Sequence, residues 1–136
     1  MIPEKIHLDI VTPERRVVAR ELDEVVLPGI EGSFGVLPGH APMLTQLASG
    51  VAECRDGAKV EYLSICSGFV QVMPDRVTVL ADTCERSEEI DEDRARSKVD
   101  HYEKMLRESG PETDPEIVRT RLLKHLARLD ALSRAR

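Results

Sequence analysis

The apolar residues of this chain change period near residue 88, and that change limits what it can fold into. Ahead of it the runs are short and β-rich. Ile6, Leu8 and Ile10 alternate with polar residues, and Val17-Val18, Val25-Val26, Val60-Glu-Tyr-Leu-Ser-Ile65, Phe69-Val-Gln-Val-Met73 and Val77-Thr-Val-Leu80 follow. Residues two apart share one face of a strand, so such runs suit a half-buried sheet. Thr12-Pro13, Pro28-Gly29, Arg55-Asp-Gly57, Ser67-Gly68 and Pro74-Asp75 separate the runs and predict turns. Short strands at this spacing predict an antiparallel β-sandwich or barrel rather than βαβ units. Both faces of Val77-Thr-Val-Leu-Ala81 are largely apolar, which predicts a strand covered on both sides.

Beyond the change the period is helical. Ala95, Val99, Tyr102 and Leu106 stand at i, i+4, i+7 and i+11, one stripe of an amphipathic helix. Asp91 is a suitable N-cap, with Glu92 and Asp93 favourable in the first turn. Ser109-Gly110-Pro111 ends this helix, and Asp114-Pro115 starts a second with proline at its first position. Val118, Leu122, Leu126, Leu129 and Leu132 are its expected apolar stripe. The expected class is therefore α+β, with an N-terminal antiparallel β-sandwich or barrel over residues 1–87 and a C-terminal antiparallel two-helix hairpin over 88–136. Helices this short are marginal alone, so the hairpin must rest on the β-domain or on another surface. A module with two resting places is a physical opening for a switch.

The chain has 136 residues, enough for one domain or one domain with an appendage. No stretch of eighteen apolar residues predicts a transmembrane helix. The opening Met1-Ile-Pro-Glu-Lys-Ile6 has neither a basic n-region with an apolar run nor the look of a transit peptide, so a cytosolic chain is expected. Cys54, Cys66 and Cys84 are odd in number and form no CxxC pair, which argues against a disulfide framework or a zinc site. The histidines at 7, 40, 101 and 125 show no ligand spacing, so no metal is expected and structural roles are favoured. Charge is unevenly divided: residues 1–90 hold eight basic and fifteen acidic residues, net −7, and residues 91–136 hold eleven and ten, net +1. From Arg119 to Arg136 there are six basic residues against one acidic, Asp130. An acidic body argues against nucleic acid as a partner. The basic helix suits an acidic protein partner or a bound anion, or simply a solvated face.

The run from Leu27 to Leu44 packs four glycines and three prolines into eighteen residues while keeping Ile30, Phe34, Val36, Leu37, Met43 and Leu44 to bury. Taken alone it reads as two tight turns in a β-domain. Within it Glu31-Gly-Ser-Phe-Gly-Val-Leu-Pro-Gly-His-Ala-Pro42 resembles the signature of the ε subunit of F-type ATP synthases, which typically reads E-G-x-x-G-[IV]-x-P-G-H-x-P. The resemblance covers nearly the whole chain. Ile6-His-Leu-Asp-Ile-Val-Thr-Pro13 is similar to that family's first strand, Ser67-Gly-Phe-Val-Gln-Val72 and Val77-Thr-Val-Leu-Ala-Asp82 to later ones, and Ile90-Asp-Glu-Asp-Arg-Ala95 to the segment that opens its hairpin.

The resemblance implies a mechanical role without catalytic residues: a central-stalk subunit that turns with the γ subunit and the c-ring, coupling proton flow to ATP synthesis. The sandwich would be the anchor, with Glu31, Gly32, Ser33, His40, Ala41 and Pro42 in its ring and γ contacts. The hairpin would be regulatory. Extended, its second helix would dock Arg119, Arg121, Lys124 and Arg128 on an acidic segment of the β subunit within the α/β assembly and block ATP hydrolysis. The implied location is peripheral, on the cytoplasmic face of the bacterial inner membrane. No cofactor is implied beyond regulatory ATP, which some members bind in the folded-down hairpin; Glu85, Ile90, Asp91, Arg94, Lys124 and Arg128 match that site. The departure is His101, which stands where ATP-binding members carry an arginine, and a mostly neutral imidazole is a poorer phosphate partner.

Two rivals belong to other classes. An enzyme or binder built on a β-barrel would need converging polar or metal-ligating residues, and Gly29, Gly32 and Gly35 make no phosphate loop because no Gly-Lys-Ser/Thr follows. A free-standing adaptor could use the basic helix on an acidic partner, but it leaves the Leu27–Leu44 run unexplained.

Overall fold

The computed structural model describes residues 2–136. Eight strands come first: β1 (Ile6–Val11), β2 (Arg16–Leu22), β3 (Glu24–Gly29), β4 (Gly32–Val36), β5 (Met43–Leu47), β6 (Gly50–Asp56), β7 (Lys59–Val72) and β8 (Arg76–Arg86). A 3-10 turn (Ser87–Glu89) then leads to helices α1 (Glu92–Arg107) and α2 (Pro115–Ala135). The chain is α+β, a β-sandwich followed by an antiparallel helical hairpin.

The strands run in the order β2-β1-β8-β7-β5-β3-β4, with β6 bridging β3 and β7. The ladders are antiparallel except β1–β8, which is parallel. The fourteen-residue β7 belongs to both layers: Lys59–Ile65 pair with β6, and Gly68–Val72 pair with β5. Between those halves the strand bends at Ser67 (φ 44°) and Gly68 (φ 136°). A Cβ on Gly68 would run into the carbonyl oxygen of Leu80, so only glycine fits this crossing. The turn expected at Ser67-Gly68 is thus a bend inside one continuous strand that changes layer.

Pro28-Gly29 is likewise strand, not turn: Pro28 pairs with Ser33, and Gly29 with Gly32 and Leu47. Proline cannot donate to a ladder, and Pro28 sits beyond the last β6 pair, Val26–Glu53, where β3 passes from β6 to β5. The reversal falls instead at Ile30-Glu31, and Gly32 (φ 128°) supplies the left-handed conformation that a tight hairpin needs.

Between the layers Ile6, Leu8, Ile10, Leu22, Val25, Leu27, Val36, Leu63, Ile65, Val70, Val72, Val77 and Val79 form the centre of one core, and no residue beyond Cys84 belongs to it. Val77, Val79 and Ala81 point in, but Leu80 is 57% exposed. The expectation of two covered faces on β8 is corrected there: this half of β8 has bulk protein on one side only.

The hairpin starts as its sequence predicts. The Asp91 carboxylate accepts from the backbone N–H of Arg94 at 3.0 Å, and that of Asp114 from Glu116 at 2.9 Å. Each such cap stabilises by about 1 kcal/mol. The α1 stripe buries Ala95 and Val99, with Tyr102 and Leu106 half-covered. The α2 stripe needs correction. Its buried residues are Val118, His125, Ala127 and Ala131, whereas Leu126 is exposed. The helix packs on α1 along one side and on β6 and β7 along another, so its covered arc is wide, and small alanines let it approach the sheet closely.

Candidate functional site

Two places carry chemistry that the packing alone does not require. The first is the junction of sheet, 3-10 turn and hairpin. Glu85 at the end of β8, Glu89, Asp91 at the cap of α1, Arg94 and Ala95 on its first turns, and Arg128 on α2 surround a cavity of about 120 Å³. The Arg128 guanidinium donates from Nε to Glu85 Oε1 at 2.6 Å, and its Nη2 closes on the same oxygen. Nη1 lies 3.0 Å from His125 Nδ1. A guanidinium only donates, so Nδ1 accepts and the ring is neutral. Burial, and then the cations Arg128, Lys124, Lys98 and Arg94, push the His125 pKa down to about 4. Tyr102 stacks on the ring at 5.8 Å between centroids.

Of the six residues implied for nucleotide, Glu85, Asp91, Arg94 and Arg128 meet around this cavity, whereas Ile90 and Lys124 are half-buried and do not line it. His101 is exposed, edge-on to Tyr102 at 5.1 Å, and does not line it either. Glu89, His125 and Tyr102 complete the junction without having been singled out as ligands. Glu89 grips Arg15 at 2.8 and 3.0 Å, which lowers its own pKa. The residues present do not fit a nucleotide as arranged. The cavity is well under the roughly 300 Å³ at which small-molecule pockets begin, and Arg128 is already committed to Glu85. Among the described residues no group of three or more His, Cys, Asp or Glu could hold a metal ion.

The second place is the outer face of β5, β7 and β8. Leu44, Phe69 and Leu80 are 74%, 52% and 57% exposed, and pairing sets Phe69 beside both Gln46 and Leu80. Ile30 from the β3–β4 tip joins Phe69 and Leu80 around a groove of about 680 Å³ that Val11, Thr12 and Pro13 close at the end of β1, while Leu44 stands outside it. Ser67 donates to Asp82 Oδ2 at 2.6 Å on its polar rim.

The predicted ring and γ contacts divide between the ends of β4. Glu31, Gly32 and Ser33 form the exposed tip next to the groove. His40, Ala41 and Pro42 lie in the link to β5 at the opposite end, where Gly39 N–H bonds Pro74 O at 2.7 Å and His40 Nδ1–H donates to Ala41 O at 2.7 Å. The remainder of β4 lies between the two groups. On α2, Arg119 pairs with Glu116 at 3.1 Å and Arg121 is exposed, while Lys124 is half-buried and Arg128 turns inward. Arg134 reaches Glu53 on β6 at 2.9 Å, and Arg136 reaches Glu92 at 2.6 Å.

Comparison with known proteins gives a consistent result. Residues 5–87 match the model of the ATP synthase delta/epsilon chain β-sandwich domain. The ATP synthase epsilon chain of Moorella thermoacetica is 44% identical over 127 residues, covering 93% of this chain and 95% of that one. The epsilon chain of Geobacter sulfurreducens is 36% identical over 133 residues, covering 97% and 96%. A chain in the cryo-EM structure of the Euglena gracilis mitochondrial ATP synthase (OSCP/F1/c-ring, rotational state 1) has the same fold, with a TM-score of 0.83 at 23% identity over 99% of this chain and 83% of its own.

Proposed function

The chain belongs to the ATP synthase delta/epsilon family, as an epsilon chain, and from that premise we propose that it is a non-catalytic rotor subunit whose sandwich binds γ and the c-ring. The observation that carries this reading is the apolar outer face of β5, β7 and β8. Ile30, Phe69 and Leu80 stand open to water around one groove, with Leu44 exposed further along β5, and exposed apolar area of this kind suits a protein partner. The β3–β4 tip with Glu31, Gly32 and Ser33 adjoins that groove and is the ring-facing part; His40, Ala41 and Pro42 serve the γ junction. No helix among the described residues is long and apolar enough to cross a membrane, which suits a peripheral subunit on the cytoplasmic face of the inner membrane.

The hairpin is the regulatory arm. Raised from the sheet, α2 would carry Arg119, Arg121, Lys124 and Arg128 to an acidic segment of β among the α and β subunits and stop hydrolysis. Arg128 must leave Glu85 for that. Nucleotide at the same junction has the same requirement, and titration of the chain with Mg-ATP beside Arg94→Ala measures it: heat lost in the variant supports the site, and no heat up to millimolar ATP removes it.

The test of the main reading is reconstitution with γ. The wild-type chain should co-elute with γ, and Phe69→Asp or Leu80→Asp should abolish association while leaving the Tm within a few degrees, since both side chains are solvent-exposed. A chain that ignores γ while still binding an acidic partner through α2 would establish the adaptor reading instead.

A further inference from the structure

We propose that His125 is an acid-sensitive pin of the hairpin: its neutral ring is built into the junction of α1, α2 and the sheet, and protonating it frees α2. The inference rests on the hairpin being detachable, as proposed above, but not on what the freed helix binds.

The ring is 6% exposed, covered by Tyr102 from α1. Its Nδ1 must accept from Arg128, so a proton there would replace a hydrogen bond with two facing donors. The surrounding charges are one-sided. From α1 it faces Arg94 and Lys98, and from α2 Lys124 and Arg128. The carboxylates of the neighbouring elements are turned elsewhere: Glu85 on β8 to Arg128, Glu89 of the 3-10 turn to Arg15, Asp91 to the α1 cap, Glu53 on β6 to Arg134 and Glu92 to Arg136, while Glu61 on β7 lies 3.5 Å from Arg86 without a hydrogen bond. An imidazolium at this position therefore meets cations and no free carboxylate, with only the stacked Tyr102 face in its favour.

The sign follows from where the proton binds. A freed His125 titrates near 6.5, whereas the packed ring is held down to about 4. Between those values the open form binds more protons, so closure is at full strength near neutral pH and weakens as pH falls through the window. From pH 7 to pH 5 the opening constant should rise on the order of twentyfold.

Hydrogen exchange on the full chain at pH 7 and pH 5, corrected for the intrinsic pH dependence of amide exchange, reads that opening. Amides of α2 should lose about tenfold or more of their protection on acidification while those of β1 and β8 hold. His125→Gln, neutral at both pH values, should abolish the response, and His101→Gln should keep it. Unchanged α2 protection in the wild type, or an equal loss in His125→Gln, overturns the proposal. Should His125→Gln not fold, an NMR titration of the wild-type ring decides: an ordinary value near 6.5 sinks the idea. A chain that passes here but fails to bind γ would separate this pin from the stalk reading.

Discussion

At Gly68 the backbone φ is 136°, and an added Cβ would overlap the carbonyl of Leu80 on the neighbouring strand. Neither problem has a cheap remedy, because the obstructing atoms are backbone and β7 changes layer at this point. Gly68→Ala should cost about 3 kcal/mol or more, read as a lower urea midpoint at unchanged m-value. Gly110→Ala, in open space, is the control and should lie within about 0.5 kcal/mol of wild type. The cysteines give a second residue-scale test. Burial pushes the Cys54 and Cys84 thiols up to about 12, and Cys66 is buried as well. A thiol reagent at pH 8 should find no fast-reacting cysteine in the native chain and all three after unfolding in urea.

At the scale of elements, α2 is held to the body by a few ion pairs and a thin apolar seam. The pairs of Arg134 and Arg136 use arginines that are 46% and 63% exposed and contribute little, whereas the Arg128 side chain is only 18% exposed against Glu85. Arg128→Ala should therefore leave the sandwich intact but raise hydrogen exchange along α2 severalfold, with added salt doing little more to the variant and visibly loosening the wild type. Equal salt responses in the two would show that the clasp lies elsewhere. This is also where the sequence was least readable. The caps at Asp91 and Asp114 are legible because capping is a local matter of side chain and backbone two or three residues on. The buried face of α2 is not, because its buried positions include the small Ala127 and Ala131, whereas apolar periodicity follows the large leucines. The Pro28-Gly29 and Ser67-Gly68 pairs misled for a related reason: their local chemistry favours a turn, but long-range pairing keeps both inside strands. Glu85, Asp91, Arg94 and Arg128, named from the sequence, line one cavity; Glu89, His125 and Tyr102 gave no signal because only tertiary packing brings them there.

For the molecule as a whole, the division of labour predicts that the sandwich folds without its arm. Every residue of the central core lies at or before Cys84, and the helices add only a covering of one outer face, where the register pair Val51 and Ser64 is buried although it points away from that core. A chain ended after Glu89 keeps all eight strands and the 3-10 turn. It loses the contacts of α2 with β6 and β7, a cost on the order of 1–2 kcal/mol, which for a domain of this size lowers the Tm by about 4–8 °C per kcal/mol. Its core amides should stay protected, and its γ association should match that of the full chain, because the apolar face of β5, β7 and β8 lies on the other layer. The converse piece, residues 90–136, should show little helix in isolation, since two short helices with one thin seam between them lack the packing that helix formation requires. If the truncated chain were instead molten, α2 would be part of the core rather than an arm resting on it, and a hairpin that lifts from the sheet in the working complex would have to unfold the anchor as it rose.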